Sequence, residues 1–452
     1  MDPLYLTTGF FVLLLGACVG SFLNVVVYRL PLGLSVVSPP SACPKCGHGL
    51  AAYDNVPVLG WLWLRGKCRY CKEPISPRYP IVEAITGLLF LFQFVMLFHY
   101  GWGPYGVSYV ETLGIVSTIY TPLTLENDWP ILILHLWVIG SLLGASLIDI
   151  EHFIIPLRFG WLMLLVGMLI HGLFRPPGTL GALHFNPVAD AATVGGAAGL
   201  AIAIGLLYFG VLRGSFAEED PPLEKDVAAL PEDQRPDPWP ASRVRVEMAR
   251  EILFLAFPVG LAALCAFAAA NGWIGPWWEQ LSGKPLVSGA LGSLLGGLVG
   301  ATIVWVFRIG GSLAFGREAM GLGDVHLMLG IGAVLGPGAV VVAFFVAPIF
   351  GLGIAIFQLF TSGRREMPYG PYLSLGAFAV MLFYGPIQAF LAPGIFSIGW
   401  LLGMHADWLV PTAAAAYGLL LAGALVAVWA NRPNDRAGDP PGDRPNGTEG
   451  IA

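Results

Sequence analysis

About eleven runs of apolar residues, each near 20 residues long, are spread along the whole chain, and they decide what it can fold into. A helix of about 20 residues crosses the roughly 30 Å hydrocarbon core of a bilayer. Inside that core the chain must satisfy its own backbone N–H and C=O groups, which leaves only helices and closed barrels. The runs are continuously apolar and do not alternate as barrel strands do. The expected fold class is therefore an all-α polytopic membrane protein, a helical bundle of about eleven spans seated in the lipid bilayer. Composition agrees. Of 452 residues 56% are hydrophobic and 12% charged, against about 25% charged in ordinary soluble domains. The net charge of −6 sits in loops and offers no basic surface to nucleic acid, so no nucleic-acid partner is expected.

The first run, residues 4–27, is longer than the apolar core of a cleavable signal peptide and lacks its basic lead, so it reads as a retained span. Gly16, Gly20 and Asn24 share one face of it. The glycines allow close helix packing, and the amide suits an interhelical hydrogen bond. The polar segment 29–80 carries Arg29, Lys45, Arg65, Lys67, Arg69, Lys72 and Arg78 against Asp54 and Glu73. A basic excess beside two spans faces the cytoplasm. Further runs occupy 81–100, 129–148, 157–174, 191–212, 252–270, 286–307, a pair divided at Gly336-Pro337-Gly338 and ending at Phe360, then 371–391 and 411–430. The loop 101–128 has no Lys or Arg and belongs outside, as does a Trp-rich turn with Trp273, Trp277 and Trp278. Counting spans puts Asp149, Asp324, four cysteines and the Arg364-Arg365 turn on the cytoplasmic side. Residues 214–250 and the tail 431–452 are charged or Pro-rich, cannot bury a core, and read as disordered.

Four of the six cysteines form two C-x-x-C pairs, Cys43/Cys46 and Cys68/Cys71, with 21 residues between the pairs. Two such knuckles deliver four thiolates to one tetrahedral zinc ion. Four protein ligands leave no open position for a reactive water, so the zinc is structural. Disulfides are the alternative, and a reducing cytoplasm disfavours them. Cys18 and Cys265 lie in apolar runs and read as small packing residues.

Two carboxylates carry the chemistry. Asp324, in GLGDVHLM, stands at the mouth of an apolar run, and Asp149, in SLIDIEHFIIP, closes another. A carboxylate against hydrocarbon costs roughly 2.5–3.5 kcal/mol at a helix centre and needs a partner or a function. A lone one can cap a helix, meet a basic side chain or relay protons. Two on one face suggest an acid/base pair.

The chain resembles the type IV prepilin peptidases, aspartic proteases of the GxGD class. The stretches that match are GSFLNVVVYRLP, the two C-x-x-C knuckles, SPRYPIVEAITGLLF, IDIEHFIIP around Asp149, GREAMGLGDVHLM around Asp324, and MPYGPYLSLGAF at 367–378. They occur in family order over most of 9–174 and 286–390. The resemblance implies cleavage of the leader from type IV prepilins or pseudopilins at the cytoplasmic face of a bacterial inner membrane, with Asp149 and Asp324 catalytic. It also implies, for many members, N-methylation of the new N-terminus with S-adenosylmethionine, although no methyl-donor site is legible here. Two positions depart from the family pattern. Leu157 stands where an acidic residue is usual, and His326 where a lysine is usual. The segment 175–285 is longer than the family connection and reads as an insertion of two spans with the disordered loop. The expected division is thus 1–28, first span; 29–80, zinc domain; 81–174, spans with the first Asp; 175–285, insertion; 286–430, spans with GxGD; 431–452, tail.

Three other readings compete. A cation or proton-coupled transporter would use the two acids in a path, but it would place them near mid-bilayer rather than at span ends. A non-catalytic assembly protein would use the zinc domain for docking. A GxGD protease with other membrane substrates would share the site but not the substrate.

Overall fold

The structure is a computed structural model that describes residues 3–99, 107–112, 115–120, 123–174, 187–215, 241–361, 368–383 and 418–428. Each apolar run within these residues winds into a helix, since a helix satisfies its own backbone away from water. In chain order they are α1 (Pro3–Arg29), a 3₁₀ turn (Ala52–Asp54), α2 (Leu59–Trp63), α3 (Arg78–Phe98), α4 (Leu125–His152), α5 (Leu157–Phe174) and α6 (Pro187–Tyr208). Then follow α7 (Ala241–Ala270), α8 (Pro276–Ser282), α9 (Pro285–Phe315), α10 (Leu322–Leu335), α11 (Pro337–Thr361), α12 (Gly370–Phe383) and α13 (Gly418–Val428). Eight of them are long and apolar enough to cross a membrane, and α10, α12 and α13 are shorter apolar helices. The helical fold expected from the sequence is present. Between α3 and α4 lies one antiparallel hairpin, β1 (Val107–Thr112) with β2 (Ile115–Tyr120), in a segment the apolar pattern left as loop. The loop 216–240, the Arg364-Arg365 turn and the tail 431–452 lie outside the described residues.

Close approaches between glycines and neighbouring backbones fix the helix directions. A β-carbon on Gly16 of α1 would lie 2.8 Å from the Cα of Gly87 on α3, and one on Gly20 would lie 2.7 Å from the Cα of Glu83. The two helices therefore run antiparallel in direct backbone contact. Asn24 donates to the Tyr79 carbonyl at 3.2 Å, the interhelical bond its position called for. On the other side of the core, Gly160 of α5 abuts His326 and Gly167 abuts Ala333 of α10, so these two run parallel. Gly296 of α9 and Gly332 of α10 press on each other's carbonyls, with α9 reversed. Gly336, at φ 86°, turns the chain before α11, which runs alongside α9 with Phe344 on Phe307. Buried Ile131, Leu134, Met163, Leu327, Met328 and Ile331 fill the space between α4, α5 and α10.

These directions gather the end of α1, the start of α3, the α4–α5 connection and the start of α10 at one end of the bundle. α7 and α9 are among the helices that run well past their apolar runs. α7 begins at Ala241 rather than at 252, so 241–250 is helical where the composition reads as disordered loop. Glu247 and Arg250 pair at 2.9 Å there, and Glu251 is buried against α9. α9 runs on to Phe315, which leaves Arg308 inside the helix instead of at its close.

Candidate active site and metal site

Asp149 lies in the last turn of α4, and Phe153 ends that helix in the left-handed conformation at φ 56°, its N–H on the Asp149 carbonyl. The Asp149 side chain is 5% exposed. Its carboxylate accepts the backbone N–H of Gly370, at the start of α12, at 3.0 Å. A β-carbon at Gly370 would stand 2.6 Å from that carboxylate oxygen and 2.7 Å from Ile155 Cδ1. One turn earlier, the hydroxyl of Ser146 donates to Ser374 at 2.9 Å and fastens α12 against α4.

Asp324 sits in the first turn of α10, 7% exposed. Its carboxylate accepts the N–H of Gly321 at 3.2 Å, and its own N–H returns to the Gly321 carbonyl at 3.2 Å. Carboxylates are favoured in a first turn, where free N–H groups point out. Gly323 packs on Ile155, within 2.8 Å of the Ile155 Cβ for a built β-carbon. Ile155, in the α4–α5 connection, therefore abuts both Gly323 and Gly370. The structure brings Asp149 and Asp324 to one place, both buried, with Asp149 near enough for its charge to act on Asp324. Tyr369 and Arg308 are within electrostatic range of Asp324 too.

Asp149 takes its hydrogen bond from Gly370 rather than from His152. His326 is tied to its own helix, Nδ1 to the Leu322 carbonyl at 2.9 Å, with its ring against Trp161. No hydrogen bond joins either histidine to Asp149 or Asp324 among the described residues. Sequence reasoning gave Gly370, Tyr369 and Arg308 no role. MPYGPYL is a visible motif, but a backbone N–H donor has no letter of its own.

The four cysteines also meet. Cys43 and Cys71 sulfurs are 3.8 Å apart, Cys46 and Cys68 4.0 Å, and all four lie within 4.8 Å of one another, a set able to hold a metal ion. The two knuckles are built alike. Cys43 N–H donates to His48 O and Gly47 N–H to Cys43 O; Cys68 N–H donates to Glu73 O and Lys72 N–H to Cys68 O. Gly47 and Lys72 are both left-handed. His48 stacks on Tyr70 and is not a fifth candidate ligand. Backbone N–H groups of Cys46 and Lys45 push the Cys43 thiol down to about 6. Those of Cys71 and Tyr70 lower Cys68 in the same way. Cys71 also takes a backbone bond, from Glu73, yet desolvation and the three thiols beside it push it up to about 12. A cation among the four sulfurs would let all of them ionise together.

The cysteine domain is tied to the bundle end that holds the aspartates. Val58 N–H donates to the buried Glu83 carboxylate of α3 at 2.7 Å. Arg69 grips Asp54 with two bonds at 2.8 and 2.5 Å, which holds the Asp54 carboxyl below its ordinary range. Arg78 of α3 pairs with Glu151, two residues past Asp149.

Comparison with known proteins matches the two halves of this arrangement. A model of the bacterial peptidase A24 N-terminal domain matches residues 14–97, which take in the C-terminal part of α1, the four cysteines and nearly all of α3. A model of the type IV leader peptidase family matches residues 251–356, which hold Asp324. In the second of these stretches the chain is similar to the type IV leader peptidase family. The second match begins at Glu251 and so takes in α7, which lies inside the stretch read above as an insertion. Asp149 lies outside both matches. Among curated relatives, a "Prepilin leader peptidase/N-methyltransferase" of Myxococcus xanthus (strain DK1622) is 49% identical over 137 residues, 30% of this chain and 39% of that protein. One of Burkholderia pseudomallei (strain 1026b) is 32% identical over 201 residues, 36% of this chain and 62% of that protein. A third, of Aeromonas salmonicida (strain A449), is 22% identical over 402 residues, 82% of this chain and 89% of that protein. The chain spans about two fifths of the length of the first curated relatives it matches, 39%, 40% and 39%. No solved structure matches the chain.

Proposed function

We propose that this protein is a member of the type IV leader peptidase family, a membrane aspartic endopeptidase that cleaves the leader of type IV prepilins or pseudopilins, with Asp149 and Asp324 as its catalytic pair. One observation carries the reading: two buried carboxylates from segments far apart in sequence meet at one end of an apolar bundle. Close carboxylates do not both ionise easily, so they share a proton and titrate as a unit. The charged member takes a proton from a water molecule, and that water's oxygen bonds to the scissile carbonyl carbon. The protonated member gives its proton to the carbonyl oxygen. The C–N bond then breaks: the amine leaves with a proton from the pair, one hydroxyl on the tetrahedral carbon returns its proton to the pair, and the carboxylic acid forms.

The depth suits the substrate. A prepilin has a short basic leader followed by an apolar helix, so its scissile bond lies at the membrane surface when the helix is in the bilayer. In this reading the end of the bundle with both aspartates and the cysteine domain faces the cytoplasm. The acids lie at helix ends and not halfway along, which speaks against a transport path.

The cysteine cluster would hold structural zinc. Tetrahedral Zn–S bonds of about 2.3 Å separate the sulfurs by roughly 3.8 Å, close to the spacing found between paired cysteines here. Zinc supplies charge neutralisation and a fold for residues 29–80, and no catalytic step runs through it. The N-methyltransferase reading, with S-adenosylmethionine as donor, rests on the relatives' printed names. One experiment tests the whole: purified protein in lipid is incubated with a prepilin and the products are weighed by mass spectrometry. Loss of the leader mass is expected, with a further 14 Da on the new N-terminus (about one methylene) if methylation occurs. An intact prepilin with the wild-type protein, or normal cleavage with Asp149→Asn or Asp324→Asn, would overturn the assignment.

A further inference from the structure

Arg308 lies about two turns before the end of α9 and is 2% exposed. An arginine inside an apolar helix is costly unless its charge is matched. Here matching groups come from at least three places. Nε donates to both oxygens of Glu251 on α7, at 2.8 and 3.1 Å. A terminal N–H donates to the Glu318 carboxylate and to the Met320 carbonyl. Glu251 in turn accepts the Ser215 hydroxyl at 2.8 Å. One turn beyond Arg308, the hydroxyl oxygen of Ser312 accepts the Ala319 N–H at 3.0 Å.

Three of these bonds, to Glu318, Ala319 and Met320, end on the segment 316–321 that joins α9 to α10. It is held at Glu318, Ala319 and Met320, and the next residue, Gly321, donates its N–H to Asp324. A path of bonded groups thus runs from Glu251 through Arg308 to the turn that presents Asp324. Breaking one partner of a buried ion pair leaves the other charge uncompensated, so such a pair fixes geometry strongly even where it adds little net stability. Arg308 is also near enough for its charge to act on Asp324.

We propose that Glu251 and Arg308 are positioning residues for Asp324: their ion pair, bridging α7 and α9, clamps segment 316–321 and so sets where the GxGD carboxylate projects. This rests on the peptidase reading for its consequence, not for its geometry. It also gives α7 a task, since without Glu251 the Arg308 side chain loses a buried counter-charge and the clamp loosens.

The test uses the full chain in lipid and two readouts. The first is steady-state prepilin cleavage, with kcat and KM separated. The second is trypsin cleavage after Arg317, which is exposed within the clamped segment and reports release without needing catalysis. Glu251→Gln is expected to lower kcat roughly tenfold or more with KM within about twofold, the signature of a misplaced catalytic group. It is also expected to speed cleavage after Arg317 roughly tenfold. Glu251→Asp, which keeps the charge on a shorter arm, should recover most of both. If Glu251→Gln fails to reach the membrane, Glu251→Asp and Arg308→Lys still give partial release and partial loss. Wild-type kcat in these variants, or lost kcat with Arg317 no more accessible, overturns the proposal. Absence of cleavage by the wild-type chain, with Arg317 still released by Glu251→Gln, would instead sink the peptidase reading and leave the clamp standing.

Discussion

At the scale of single residues, the position of Asp149 depends on a donor that only glycine can present there. Gly370 N–H lies 3.0 Å from the carboxylate, in space that a methyl group would fill. Gly370→Ala should push the carboxylate aside and cut prepilin cleavage by roughly 10²-fold, the order expected for about 1 Å of misplacement. Gly353→Ala, where an added β-carbon meets nothing within 4 Å, is the matched control and should cleave at the wild-type rate. Equal activity of the two variants would show that Asp149 needs no such support. Asp149→Asn and Asp324→Asn should each lose roughly 10²–10⁴-fold in rate, the usual contribution of a positioned acid or base, with the protein still in the membrane fraction. The difference between these positions explains what was legible in the sequence. An aspartate at the edge of an apolar run stands out by its cost. Gly370 does not, because its contribution is a backbone bond across 221 positions of sequence.

At the scale of elements, the cysteine domain has almost no apolar core of its own. Between residues 30 and 77 the one buried hydrophobic side chain is Cys68, itself a ligand candidate. Metal binding by such a domain is folding free energy, about 10–16 kcal/mol for zinc-finger peptides. The purified chain should therefore carry one zinc per molecule by elemental analysis, and Cys43→Ser or Cys68→Ser should lose it. Chelation should open Lys67 and Lys72 to trypsin while the helices of the bundle stay protected; unchanged protection would mean the domain holds itself by other means. The C-x-x-C spacing made this element visible, since ligand chemistry is written directly in residue type. The lengths of α7 and α9 were not visible. Apolar patterning ends a span at its first charges, but Glu247, Arg250, Glu251 and Arg308 are neutralised by partners on the same or neighbouring helices. Paired charges extend a helix that unpaired ones would end.

At the scale of the whole molecule, the site exists only if the helices alternate in the right order. α5 runs parallel to α10, and α4 and α9 run against them, so Asp149 at the end of α4 and Asp324 at the start of α10 share one end of the bundle. The sequence could be counted to the same result because α6 and α7 form an even pair, which leaves the side of Asp324 unchanged. The order can be checked without any activity. Gly272 follows α7, and Gly316 follows α9, so α9 is the long apolar helix that separates them. Truncated fusions at Gly272 should give an active periplasmic phosphatase and a dark fluorescent protein; fusions at Gly316 should give the reverse. A fusion at Ser76, in the cysteine domain, should match Gly316. The same signal from Gly272 and Gly316 would mean that α9 does not cross the bilayer, and Asp324 would then start from the wrong side to meet Asp149. Opposite signals, with Ser76 on the side of Gly316, would put the zinc domain, the Arg308 clamp and both carboxylates at one surface, where a leader held in the cytoplasm can reach them.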